Sequence, residues 1–183
     1  MKFSRYEYMI VSGLVLLVAS VTVPTFFKLR SRRYEVESRR GMERLLSAGA
    51  RYRLEYGMWP AARRPGAAGD MRFGFRDAPN REVINVLLAQ DGLGNKDHAL
   101  NPRRMVFLEM GQYRPGRSGL DDDGDMLDAW GVPYQIVLDA DLNGVCEVED
   151  SIYAEGIDGG MIIWSCGPDR KSDTRDDLLS WRR

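Results

Sequence analysis

Residues 8–57 read YMIVSGLVLLVASVTVPTFFKLRSRRYEVESRRGMERLLSAGARYRLEYG, and how this stretch divides decides the fold. Its first 20 positions, residues 8–27, carry no charge, and that is about the length a helix needs to cross a bilayer. No turn signal follows the apolar run. Met42, Leu45, Leu46, Tyr52 and Tyr56 recur on one face of a 3.6-residue helix, and Gly57 followed by Pro60 supplies a stop. The pattern predicts one helix over residues 4–56, roughly 80 Å long at 1.5 Å per residue. Pro24 is expected to loosen it, since proline lacks the N–H that the helical ladder uses. Residues 8–27 are then expected to form a membrane anchor, 28–56 an amphipathic stem and 57–183 a head. The rival is a cleaved secretory signal, because Lys2 and Arg5 precede the apolar run and Val18-Ala19-Ser20 offers small residues for cleavage.

Charge is distributed unevenly. The 183 residues have a formal net charge of −1, which argues against bulk nucleic-acid binding. Residues 28–64, however, carry 11 Lys/Arg against 4 Glu, while residues 120–183 carry 16 Asp/Glu against 5 Lys/Arg. Such an asymmetry points to contact between unlike parts of neighbouring copies or to a cation at the acidic end, with two unrelated solvated surfaces as the plain alternative. Cys146 and Cys166 are the only cysteines, so one intramolecular pairing is possible and no C-x-x-C supports zinc or redox chemistry.

In the head, NREVINVLLAQDG (80–92) predicts a short helix with Asn80 as N-cap, a stripe of Val83, Ile84, Leu87 and Leu88, and Gly92 beyond its end. YQIVL (134–138) and MIIWS (161–165) read as strands with VCEVE (145–149) between them, and antiparallel pairing is the simplest connection. The expected architecture is α+β, a long N-terminal helix packed on a small antiparallel sheet.

Three acidic stretches could carry chemistry. In WSCGPDRKSDTRDDLLSW (164–181), Asp169, Asp173, Asp176 and Asp177 crowd into nine residues beside the turn formers Gly167 and Pro168. Oxygen donors at that spacing suit a hard cation such as calcium, whereas Arg170, Lys171 and Arg175 suit a salt-bridged loop. DADLNGVCEVED (139–150) matches part of a calcium-loop pattern, but its strand-like flanks and Asn143-Gly144 favour a turn. DDDGD (121–125) reads as a solvated acidic loop. Catalysis finds no support: His98, the sole histidine, stands in a polar loop without a nucleophile pattern, and Ser165 lacks a G-x-S-x-G context.

Phe3, Glu7 and Pro24 resemble the mature start of type IV pilins and type II secretion pseudopilins, which begin with Phe, carry Glu fifth and often Pro twenty-second. YGMWP (56–60), NPRRMVFLE (101–109), DAWGVPYQI (128–136) and the Asp-rich ending are similar to the major, G-type pseudopilin. Lys2 stands where the family's peptidase cuts after Gly, so Lys2-Phe3 is the implied processing site. The resemblance implies that Glu7 pairs with the Phe3 amine of a neighbouring subunit during assembly. It also implies calcium at Asp169, Asp176 and Asp177, with Asp173 as a fourth candidate.

The expected protein is therefore a non-enzymatic, calcium-stabilised subunit of a homo-oligomeric helical filament in protein secretion. By resemblance it would be held by a single pass in a bacterial inner membrane with its head periplasmic, although Lys28, Arg30, Arg32 and Arg33 after the apolar run favour the opposite orientation by charge. Its partners would be inner-membrane assembly machinery, minor pseudopilins and secreted cargo. The alternatives are a tip subunit recognising DNA, a surface or a secreted protein through Arg63, Arg64, Arg72, Arg76 and Arg81, and a secreted calcium-binding domain with a cleaved signal.

Overall fold

The computed structural model describes residues 5–62, 69–75, 78–148, 152–153 and 156–182. Helix α1 spans Arg5–Tyr56, and Gly57 ends it by turning left-handed (φ +71°) while its N–H reaches the Arg53 carbonyl. The chain forms two compact units, Met1–Arg33 and Tyr34–Arg183. Every described residue of the first is helical, and Tyr6, Met9, Leu14, Leu16, Leu17 and Val18 expose their side chains.

The expectation of a single-pass inner-membrane segment over 8–27, with the head periplasmic, is corrected here. Among the described residues, no helix is long and apolar enough to cross a membrane. Gly13, Ser20, Thr22 and Thr25 interrupt the apolar run, and Lys28, Arg30, Arg32 and Arg33 follow it directly. Ser20 and Thr22 turn their hydroxyls back onto the carbonyls of Leu17 and Val18.

The second unit holds the rest of α1 and all the strands. After α1 come β1 (Met71–Phe73), α2 (Arg81–Leu87), a 3₁₀ turn (Lys96–His98), β2 (Gly119–Leu120), β3 (Met126–Leu127) and β4 (Gln135–Leu138). Then follow β5 (Val145–Cys146), β6 (Ile157–Asp158), β7 (Met161–Ser165) and β8 (Leu178–Leu179). The main sheet is antiparallel with order β1-β4-β7-β8, and β2–β3 and β5–β6 form separate two-stranded ribbons. This is the expected α+β class.

All of β4 and β7 is buried because the main sheet is covered on each face, and successive side chains alternate between the two covers. Ile136, Leu138, Met161, Ile163 and Leu178 join Met42, Leu45, Ala48 and Tyr52 of α1 in one core. Val137, Ile162, Trp164 and Leu179 join Cys146, Val148 and Tyr153 in a second. Each large side chain so buried contributes roughly 1.5–3 kcal/mol. Gly41 permits the close helix approach: a Cβ there would overlap the Tyr134 hydroxyl, which donates to the Ser38 carbonyl at 2.9 Å.

The stretch between α1 and β4 is poor in regular structure but rich in buried asparagines. Asn80 precedes α2 as expected, yet its side chain makes no cap. Its Nδ2 donates to the Met126 and Tyr134 carbonyls and its Oδ1 accepts from Met126 N–H, joining β3 to the entry of β4. Asn101 similarly ties the Val86 carbonyl to both backbone groups of Met105. The segment 105–110 is irregular, and Phe107 and Leu108 are buried with both N–H groups on the Leu87 carbonyl.

Candidate functional site: two acidic loops

The C-terminal loop, residues 166–177, joins β7 to β8, and Tyr153 of the second core sets its hydroxyl 3.1 Å from the Thr174 carbonyl. Trp164, at the start, packs edge-on to Tyr153 and Trp181 and donates its indole N–H to Ser172 Oγ at 3.1 Å. Gly167 takes a left-handed φ of +64°, and a Cβ there would overlap the Asp176 backbone oxygen. The loop thus closes on itself through one glycine.

Its carboxylates are held by N–H and O–H donors. Asp176 Oδ2 accepts from Asp169 N–H at 3.1 Å, and Asp176 Oδ1 accepts from Thr174 Oγ1 at 2.7 Å. Asp177 Oδ2 accepts from Asp173 N–H and the Tyr153 hydroxyl, both at 2.9 Å. Asp169 Oδ1 accepts from Lys171 N–H at 2.8 Å. Among the described residues, the exposed side chains of Arg170, Lys171 and Arg175 form no ion pair, and N–H and O–H donors surround the carboxylates of Asp169, Asp176 and Asp177.

These surroundings split two neighbouring acids. The Thr174 hydroxyl holds the Asp176 carboxyl below the ordinary carboxylate range, whereas burial pushes the Asp177 carboxyl above it despite the Tyr153 hydrogen bond. Burial also raises the thiols of Cys146 and Cys166 to about 12, and both cysteines are unpaired. Beneath the loop, Asp128 accepts from Ser165 Oγ at 2.5 Å and from the N–H groups of Trp130 and Val132, and burial pushes its carboxyl up.

The second acidic loop follows β4. Asp139, 1% exposed, accepts from Asn143 and Gly144 N–H at 3.1 and 2.9 Å, while Asp70 accepts from Ala140 and Glu147 N–H at 3.2 and 2.6 Å. Asp70, Asp139 and Asp141 each bring a carboxylate oxygen within 4.8 Å of the others, the one such trio among the described residues. Those oxygens could take a hard cation. Strands flank this turn, but β5 pairs with β6 rather than returning along β4, so Asn143-Gly144 does not close a hairpin.

The four aspartates of the C-terminal loop therefore share one loop without converging three oxygens on a point. Asp70 was missed because its nearness to Asp139 follows from the Met71–Leu138 register, which spacing alone does not reveal. Glu7 lies in α1 with its side chain outside the described residues, and Lys2, Phe3, Arg63, Arg64 and Arg76 lie outside them altogether. Arg81 pairs with Asp125 at 2.9 Å. Comparison with known protein families, with curated proteins and with solved structures finds no match.

Proposed function

We propose that this chain is a structural subunit of a pilin-like filament, in which α1 packs against the same helix of other copies and the head decorates the outside. One observation carries the reading. The long helix buries Met42, Leu45, Ala48 and Tyr52 within its own head, yet between Tyr6 and Val18 it exposes six large apolar side chains, Tyr6 at 79% and Leu16 at 70%. Exposed apolar side chains at that density call for a partner, and identical helices supply one of matching chemistry. The resemblance of Phe3, Glu7 and Pro24 to the start of pilins and pseudopilins supports the same reading.

Calcium belongs to the proposal as a fastener of the head at Asp169, Asp173, Asp176 and Asp177. The loop's donor set is all oxygen, which fits a hard cation, and its role there is to hold β7, β8 and Tyr153 together rather than to react. The test is assembly: the purified full chain should form filaments visible by negative-stain electron microscopy, and Glu7→Ala should prevent them while leaving the circular-dichroism spectrum unchanged. Normal filaments from Glu7→Ala remove Glu7 from assembly, and a wild-type chain that stays monomeric overturns the reading.

A further inference from the structure

Two patches of the second unit carry unmatched charge of opposite sign. A groove of about 420 Å³ is lined by Arg40 and Arg44 from α1 and by Arg114 and Arg117 from the turn ahead of β2. Arg40 and Arg44 lie one helical turn apart, on one face. Arg114 and Arg117 are presented by a closed turn: Arg117 N–H meets the Arg114 carbonyl at 2.8 Å, and Gly116 (φ +82°) is seated on the Tyr34 ring. The groove contains one carboxylate, Glu37, already paired with Arg40 at 3.0 Å. Among the described residues, Arg44, Arg114 and Arg117 have no carboxylate partner.

The acidic patch is the turn between β2 and β3. Asp121 Oδ1 accepts the N–H groups of Asp123 and Asp125 at 3.0 and 2.8 Å, and Asp125 is taken by Arg81. The carboxylates of Asp122 and Asp123 stand exposed at the tip of this fixed turn, with no cation on them among the described residues. Groove and turn lie at opposite ends of β2 and rest on different supports. Ser118 of the groove bonds the Glu37 carbonyl of α1, whereas Gly124 and Asp125 of the turn lie against Arg81 of α2.

We infer that the arginine groove receives the Asp122–Asp123 turn of a second copy of this chain. A guanidinium fork matches a carboxylate in two parallel hydrogen bonds, and a preformed turn pays little ordering entropy on docking. Because groove and turn are different patches on each copy, the contact is head-to-tail and propagates, which is the symmetry an open filament requires. The inference rests on the filament reading and names one of its side-to-side contacts.

The test is charge exchange in the full chain, followed by sedimentation velocity over a range of concentrations. Arg114→Glu with Arg117→Glu should weaken self-association about tenfold, and Asp122→Lys with Asp123→Lys should do the same, since each sets like charges against each other. Mixing the two variants should restore wild-type assembly, because every contact in the mixture again joins opposite charges. Assembly of either variant at wild-type strength overturns the pairing while leaving the filament intact. So does failure of the mixture to recover, or loss of inorganic phosphate binding by the reversed groove with assembly unchanged. A wild-type chain that never self-associates overturns the filament reading and this contact together.

Discussion

The two acidic loops are built from the same residue type and do opposite things with it. After β4, a buried Asp139, a half-buried Asp70 and an exposed Asp141 converge within 4.8 Å, and backbone N–H groups of the loop donate to Asp139 and Asp70. After β7, Asp176 and Asp177 are capped by donors from within the loop and by Tyr153. The lesson is that crowding in sequence and convergence in space are separate properties. Four aspartates within nine residues do not gather, and three drawn from two distant segments do.

The largest expected effect tests how each loop is closed. Gly167 and Gly144 are both left-handed, at φ +64° and +86°, but only Gly167 has the Asp176 backbone where a Cβ would go. Gly167→Ala should lose about 3 kcal/mol, from left-handed strain plus a displaced backbone. Gly144→Ala should lose only about 1 kcal/mol, from strain alone. Urea denaturation of the two variants checks this, and equal losses would mean that the C-terminal loop is not held by that contact.

The next effect sharpens which loop takes an ion. With free calcium at a hundred times its Kd, binding would stabilise the full chain by about 2.7 kcal/mol, and chelator would withdraw that gain. Asp176→Ala should abolish the chelator-dependent part of Tm. Asp139→Ala should retain it while lowering Tm in both conditions, because a buried acceptor that holds two N–H groups is worth about 2 kcal/mol. The reverse pattern would move the ion to the loop after β4. No chelator response from the wild type would leave both loops as hydrogen-bonded turns.

Much of the α+β frame was legible because apolar periodicity and chain punctuation are local. The helix to Tyr56, the strands at 135–138 and 161–165, and the helix after Asn80 all follow from residues within one or two turns of each other. What was not legible depends on long-range register. Asn80 reads as an N-cap by its place in sequence, but Met126 and Tyr134, 46 and 54 residues away, claim its side chain. Asp70 reads as an isolated loop acid until β1 is laid against β4. The membrane expectation rested on the absence of charge over 8–27, whereas among the described residues no helix is long and apolar enough to cross a membrane. Asp169 and its three neighbours were legible as a loop, but which atoms cap them was not, since Tyr153 enters from outside the motif.

The smallest effect lies within the C-terminal loop, where neighbouring acids should give stability opposite slopes with pH. Asp176 has a lowered folded pKa, so its contribution is present above the ordinary carboxyl value of about 3.9 and is lost as pH falls through the lowered value. Asp177 has a raised folded pKa, so its contribution is full below about 3.9 and is lost as pH rises through the raised value. In chelator, Asp176→Asn should flatten the acid side of a stability-against-pH curve and Asp177→Asn the side toward neutrality. Tyr153→Phe should cost about 1 kcal/mol of hydrogen bond and deepen the loss of stability toward neutrality on the Asp177 side of the curve, because the phenolic donor stabilises the ionised carboxylate. If the two Asn variants flatten the same side, the pair is titrating as one unit, and the division of labour between Asp176 and Asp177 does not hold.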